Sequence, residues 1–131
     1  MSDLNSKNKA LMRRIYEEMW NQADPSIAAE IFARPKGVQR FMSEFLLSFP
    51  DLQHAVEEMI AEDDRIAVRF SASGTHLGQW MHFAPTGKSI QYTGVTLARI
   101  ARSKIIDHHT WWDKASLIEQ INRPFFHAQQ G

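Results

Sequence analysis

The hydrophobic period of this chain changes near Pro50, and that change bounds the folds open to it. Before Pro50, apolar residues recur every three or four positions; after it, they alternate. Leu11, Met12, Ile15, Tyr16, Met19 and Trp20 form a helical stripe over residues 5–21, with Lys9, Arg13, Arg14, Glu17 and Glu18 on the other face. "NQADPS" interrupts the stripe. Asp24 followed by Pro25 then starts a short second helix carrying Ile27, Ala28, Ile31 and Phe32, because aspartate caps free amides and proline suits the first helical position. "RPKG" ends it. A third helix is predicted from Val38 to Ser48, with Val38, Phe41, Met42, Phe45, Leu46 and Phe49 on one stripe and Pro50 as its stop.

In "RIAVRFSASGTH", Ile66, Val68, Phe70 and Ala72 alternate with Arg65, Ala67, Arg69, Ser71 and Ser73, which predicts a half-buried strand. "LQHAVEEMIAE" supplies its antiparallel partner through a turn at Asp63 and Asp64, although the adjacent Glu57 and Glu58 spoil the alternation. "APTGK" at 84–88 is a turn. "SIQYTGVTLARI" is a further strand whose apolar phase slips at Gly94, with Ile90 and Tyr92 on one phase and Val95 and Leu97 on the other. A glycine at such a slip predicts a bulge. "ARSK" turns into a last strand, and a short helix over Ala115–Ile121 precedes Pro124. No repeat or linker divides the chain, so residues 1–131 form one α+β domain. Three N-terminal helices over the concave face of a bent, mostly antiparallel sheet would enclose a pocket.

Lys plus Arg, 15, equals Asp plus Glu, 15, which leaves no electrostatic reason to expect nucleic acid or an anionic membrane as partner. The absence of cysteine excludes disulfides, thiol catalysis and thiolate metal sites. No apolar run approaches the ~20 residues of a membrane span. "MSDLNSKNKALMRR" lacks the apolar core of a signal peptide, so the expected location is cytoplasmic.

Chemistry concentrates in "KIIDHHTWWDK", residues 104–114. Strand alternation places Ile106, His108, Thr110 and Trp112 on one face and Ile105, Asp107, His109, Trp111 and Asp113 on the other. The first face carries no formal charge except a possible imidazolium and is assigned to the cavity. The second carries both aspartates and is assigned to solvent or a dimer interface, where Trp111 fits an aromatic contact. The adjacent histidines therefore point opposite ways. His108 is the candidate catalytic residue, since an imidazole moves protons near neutral pH and could abstract a proton flanked by carbonyls. Thr110 and Thr96 can orient a ligand through hydrogen bonds but cannot act as general bases. His76 falls in phase with Val68 and Phe70, near the cavity mouth, and His54 in phase with Val56. Tyr16, Trp20, Phe41, Phe45 and Trp112 are expected to wall the cavity. Trp80 and Phe83, in a loop, would form a lid. His54, His76, His82, His108, His109 and His127 show no ligand spacing, so no metal is expected.

The segments "YEEMWNQAD" (16–24), "FPDLQHAVEEMIAEDDRIAVRFSASGTHLGQW" (49–80), "PTGKSIQYTGVTLARI" (85–100) and "KIIDHHTWWD" (104–113) resemble, in order and spacing, the SnoaL-like polyketide cyclases of the nuclear transport factor 2-like superfamily. The likeness covers residue 16 to about 121. It implies a curved sheet forming a cone with a helix-lined cavity, usually in a homodimer, and an activity such as aldol-type cyclisation of aromatic polyketides. The family's last strand typically reads Gly-Lys-Ile-Val-Glu-His-Trp-Asp. Matched position by position, the glycine is Ser103, the glutamate Asp107, the histidine His108, the tryptophan His109 and the final aspartate, the acid/base of the cyclases, Thr110. Thr96 stands where the preceding strand often carries aspartate. The reading is a cofactor-independent acid–base enzyme on a small hydrophobic oxygenated ligand, with a non-catalytic small-molecule-binding dimer as the alternative.

Overall fold

The computed structural model describes residues 2–124. Helix α1 (Ser2–Arg14) runs without a break into a π-helical segment, Ile15–Trp20. This widened turn lets Ile15, Tyr16 and Met19 all be buried against the sheet. The Asn21 side chain then ties the helix end to the first strand, accepting from His54 N at 2.6 Å and donating to His54 O at 2.9 Å. Asp24 caps the next turn as expected, its Oδ1 accepting from Ser26 N at 3.1 Å. A 3₁₀ turn, Pro25–Ile27, leads into α2 (Ala28–Ile31). Lys104 Nζ donates to the closing carbonyls of Ala29 and Glu30 at 2.7 and 3.0 Å, the end of a helix that favours a cation. Helix α3 (Lys36–Ser48) buries Met42, Phe45 and Ser48. Its last turn touches the 77–79 segment closely: a Cβ on Gly78 would lie 2.0 Å from Leu47 O, so only glycine fits there.

Four strands, β1 (Gln53–Glu62), β2 (Arg65–Thr75), β3 (Ser89–Ala101) and β4 (Lys104–Trp112), form one antiparallel sheet in sequence order. Helix α4 (Lys114–Asn122) follows, capped by Asp113, whose Oδ1 accepts from Ser116 N at 3.0 Å. The inner face carries Ile66, Val68, Phe70 and Ala72 from β2, and Ile90, Tyr92, Thr96, Ala98 and Ile100 from β3. With Met12, Met19, Met42, Phe49 and Leu117 these side chains make the core. No helix among the described residues is long and apolar enough to cross a membrane.

Two irregularities decide which side chains face inward. In β1, Val56 pairs with Phe70 and Glu58 with Arg69, so Glu57 is the extra residue of a bulge. The adjacent glutamates that spoil the alternation mark this place. In β4, Ile100 pairs with Ile105 and Arg99 with Asp107, so Ile106 is bulged. Ile105 therefore faces the core, 2% exposed, rather than sharing the outer face with Asp107. The expected bulge at Gly94 does not exist: β2–β3 register is continuous and burial alternates strictly from Ser89 to Ile100. Val95 and Leu97 are simply apolar residues on the outer face. Gly94 is instead a packing requirement, since a Cβ there would lie 2.6 Å from Phe70 Cζ and 2.8 Å from Trp111 O.

Candidate functional site

A cavity of about 560 Å³ lies among the Ile15–Trp20 segment, α3 and the inner face of the sheet, a size suited to a small molecule. Its polar wall comes from strand register. Thr96 on β3 pairs directly with Thr110 on β4, and their hydroxyl oxygens lie 2.9 Å apart. Tyr16, brought inward by the π-helical turn, donates its hydroxyl to Thr96 Oγ1 at 2.7 Å. Burial pushes the Tyr16 phenol up to about 12, with the Thr96 bond opposing, so it stays protonated throughout the physiological range.

His108 pairs with Ala98 and turns to the same face as Thr110. It sits at the mouth rather than on the floor: the residue remains exposed, while its ring lies 5.0 Å from that of Phe32. Burial is the main influence on its pKa and lowers it; Asp107 pulls it up and His109 pulls it down. The neutral imidazole, the form able to accept a proton, is favoured. His109 also borders the cavity, yet its ring stays 5.8 Å from that of Trp111 on the outer side, with Nε2 4.0 Å from Asp107 Oδ1. Asp107 is exposed.

The remaining wall is aromatic. Phe41 and Phe45 stack at 5.5 Å, and Trp20 meets them edge-on at 6.3 and 6.1 Å. Phe41 is 51% exposed, which places it on the rim. Trp112 packs 4.8 Å from Tyr92 and 5.8 Å from Phe45. Tyr16, Trp20, Phe41, Phe45, Thr96, His108, Thr110 and Trp112 thus meet around one hollow.

His76 and Trp80 do not line it. His76 is fully buried beside Phe49, and its Nδ1 accepts from Thr86 N at 3.3 Å and lies 3.0 Å from Thr86 Oγ1. The inward phase of β2 does carry His76 into the core, but beneath the 77–86 loop, which it holds in place. Trp80 is 9% exposed, stacked on Phe83 at 6.0 Å and packed edge-on against Phe49 at the same distance. The loop folds back through a Trp80–Phe83 bridge, so the two aromatics are wedge and cover of a second core layer instead of a lid. His82 is exposed, and His127 lies outside the described residues.

Further lining residues include His54, which its strand phase marks, and Tyr92 and Arg34, which sequence reasoning does not place there. His54 faces inward opposite Ala72, its ring 5.7 Å from Tyr16, 5.2 Å from Trp20 and 5.5 Å from Phe70. Its Nδ1 is buried without a hydrogen-bond partner, and burial lowers its pKa to about 4. Its phase with Val56 was the available signal. Tyr92, whose phenol burial raises, was hidden by the supposed slip at Gly94. Arg34 arrives through a parallel bridge between Phe32 and Ile105, a tertiary event with no local pattern; its Nη2 donates to Ile106 O at 3.3 Å. No aspartate or glutamate occurs among the described lining residues. Among the described residues no three of His, Asp and Glu converge as a metal-binding group.

Several solved structures share this architecture. AclR, a candidate hydroxylase from Streptomyces galilaeus, is 26% identical with a TM-score of 0.81, covering 88% of this chain and 81% of its own. A SnoaL-like polyketide cyclase candidate from Jannaschia sp. CCS1 is 19% identical with a TM-score of 0.82, covering 92% of this chain and 94% of its own. IdmH, a candidate polyketide cyclase from Streptomyces antibioticus, is 21% identical with a TM-score of 0.79, covering 88% of this chain and 99% of its own. No curated protein matches the chain by sequence. The family described as SnoaL-like polyketide cyclase matches residues 10–121, from the middle of α1 through α4, and the chain belongs to that family.

Proposed function

We propose that the protein binds a flat, apolar, oxygenated small molecule in this cavity and performs cofactor-independent acid–base chemistry on it, with His108 as the proton acceptor. The observation that carries the reading is the placement of the His108 imidazole beside an aromatic hollow, two strand residues from a hydroxyl that can hold the ligand's oxygen. Such a pair suits removal of a proton next to a carbonyl, the step shared by cyclisation and isomerisation. The family relationship and the likeness to AclR and IdmH support the ligand class; Thr110 in place of the cyclase carboxylate argues for chemistry that needs one base. A lysate-free test uses 1-phenylbutane-1,3-dione in heavy water, with exchange of its central C–H followed by NMR. Wild type is expected to accelerate exchange, and His108→Ala to lose at least about tenfold of it while melting as a folded protein. Equal exchange in the two proteins removes His108 from the mechanism.

A second reading, a binder without chemistry, is favoured by the exposure of His108 and the lack of a carboxylate in the described wall. Binding of the diketone, seen as a raised melting temperature without enhanced exchange, selects it. In either reading the working unit is a homodimer formed through the outer sheet face, where Trp111 stands opposite Val95.

A further inference from the structure

The three cavity hydroxyls have a direction. Tyr16 gives its proton to Thr96, which occupies one acceptor site on Thr96 Oγ1. Thr96 is buried, so its own single proton needs an acceptor, and Thr110 Oγ1 at 2.9 Å is the one the structure provides. Thr110 then accepts from behind, and its proton is released toward the cavity that it lines. Hydrogen bonds in such a row polarise one another, which makes the terminal donor stronger than an isolated threonine. Residues two apart on a strand sit about 7 Å from each other along one face, so the donor at Thr110 and the imidazole at His108 bracket a short O–C–C–H unit.

We propose that Tyr16, Thr96 and Thr110 form a polarised hydroxyl row ending in an oxyanion-binding donor, and that the cavity therefore selects the ionised form of an enol or phenol over its neutral ether. Tyr16 is a positioning residue in this arrangement, acting through Thr96, and Thr110 is the group that touches the ligand. The proposal rests on the reading of the cavity as a ligand site and specifies which ligand charge state it prefers. The other charged or titratable groups facing the hollow are Arg34 from the α2–α3 connection, His54 from β1, Tyr92 from β3, and His108 with His109 from β4. None of the described ones is an anion that would oppose an oxyanion.

The test compares 4-nitrophenolate with 4-nitroanisole, its neutral ether, by equilibrium titration at about pH 8, where unperturbed imidazoles are neutral. Wild type is expected to bind the phenolate about tenfold more tightly, the value of one hydrogen bond to a charged acceptor. Thr110→Val should abolish the preference, Thr110→Ser should keep it, and Tyr16→Phe should cut it about threefold, since Thr96 still reaches Thr110 but is no longer held in one orientation. Melting curves of each variant establish that it folds, and the exposed position of Thr110 keeps that arm informative even if Tyr16→Phe does not fold. Equal binding of the two probes by wild type overturns the oxyanion preference while leaving the cavity a ligand site. A preference lost only in Arg34→Gln assigns it to the guanidinium and overturns the hydroxyl row. A folded Tyr16→Phe that retains the full preference removes Tyr16 from it. Failure of both probes to bind overturns the oxyanion site; if 1-phenylbutane-1,3-dione still raises the melting temperature, the ligand-site reading stands, and if it too fails, both fall.

Discussion

An imidazole pressed among the rings of Tyr16, Trp20 and Phe70 has no counter-charge near it, and protonating it would strand a cation in a poorly solvated place. That is why His54, 9% exposed, titrates at about 4 instead of 6.5. The sign of the linkage follows. Between those two values the unfolded chain binds a proton that the folded chain refuses. The stabilisation is complete above the unfolded value and is lost as pH falls toward 4, at up to ~1.4 kcal/mol per pH unit and ~3 kcal/mol in all. His76 and His108 shift in the same direction and add to the slope, while Asp51, whose carboxyl Thr75 holds down, loses its contribution only at still lower pH. His54→Leu should therefore flatten the fall in unfolding free energy between about pH 6.5 and 4 by close to one proton's worth, as measured by urea unfolding. Parallel wild-type and variant curves would mean that His54 is protonated in the fold.

The β3–β4 hairpin shows the same economy at the level of an element. Its two loop residues, Arg102 and Ser103, both adopt positive φ, 52° and 62°, as a two-residue loop matched to strand twist demands. Neither is a glycine, and the left-handed conformation costs an L-residue roughly 1 kcal/mol or more. Ser103→Gly, at the position where the family pattern places glycine, should raise the urea midpoint by the equivalent of about 1 kcal/mol with an unchanged slope; a lowered midpoint would show that the serine side chain is needed. The elements themselves were legible. Asp24–Pro25, Pro50 and the two hydrophobic periods mark where helices begin and stop and where the sheet starts, because caps, breakers and periodicity act locally. Inward placement of His108 and Thr110 was legible for the same reason, whereas Thr96 was singled out through the family resemblance alone. Ile105, Val95 and Leu97 were misjudged because a bulge is fixed by its partner strand: the extra residue at Ile106 and the unbroken register at Gly94 depend on what lies across the ladder. His76 and Trp80 were misplaced by a loop that folds back, and Arg34 was unseen because contact between Phe32 and Ile105 is long-range in sequence.

For the molecule as a whole, the outer sheet face is the surface that a lone chain leaves unfinished. Trp111 is 59% exposed and Val95, Leu97 and Ile60 share its side, with Arg69, Arg99 and Asp107 around them. A dimer through this face would put the two cavities on opposite outsides of the assembly, each open on its own. Sedimentation should give twice the chain mass, and Trp111→Lys should give a monomer with an unchanged far-UV spectrum; a monomeric wild type would refute the pairing. The π-helical turn at Ile15–Trp20 has a different kind of reach. A π turn holds one residue more than an α turn, so removing one amino acid from it would let the helix close into regular form with Met12 and Asn8, both buried, still facing the sheet, while Tyr16 loses its place at the cavity. The hollow is thus encoded by arithmetic as much as by chemistry: its first wall owes its shape to a single surplus residue.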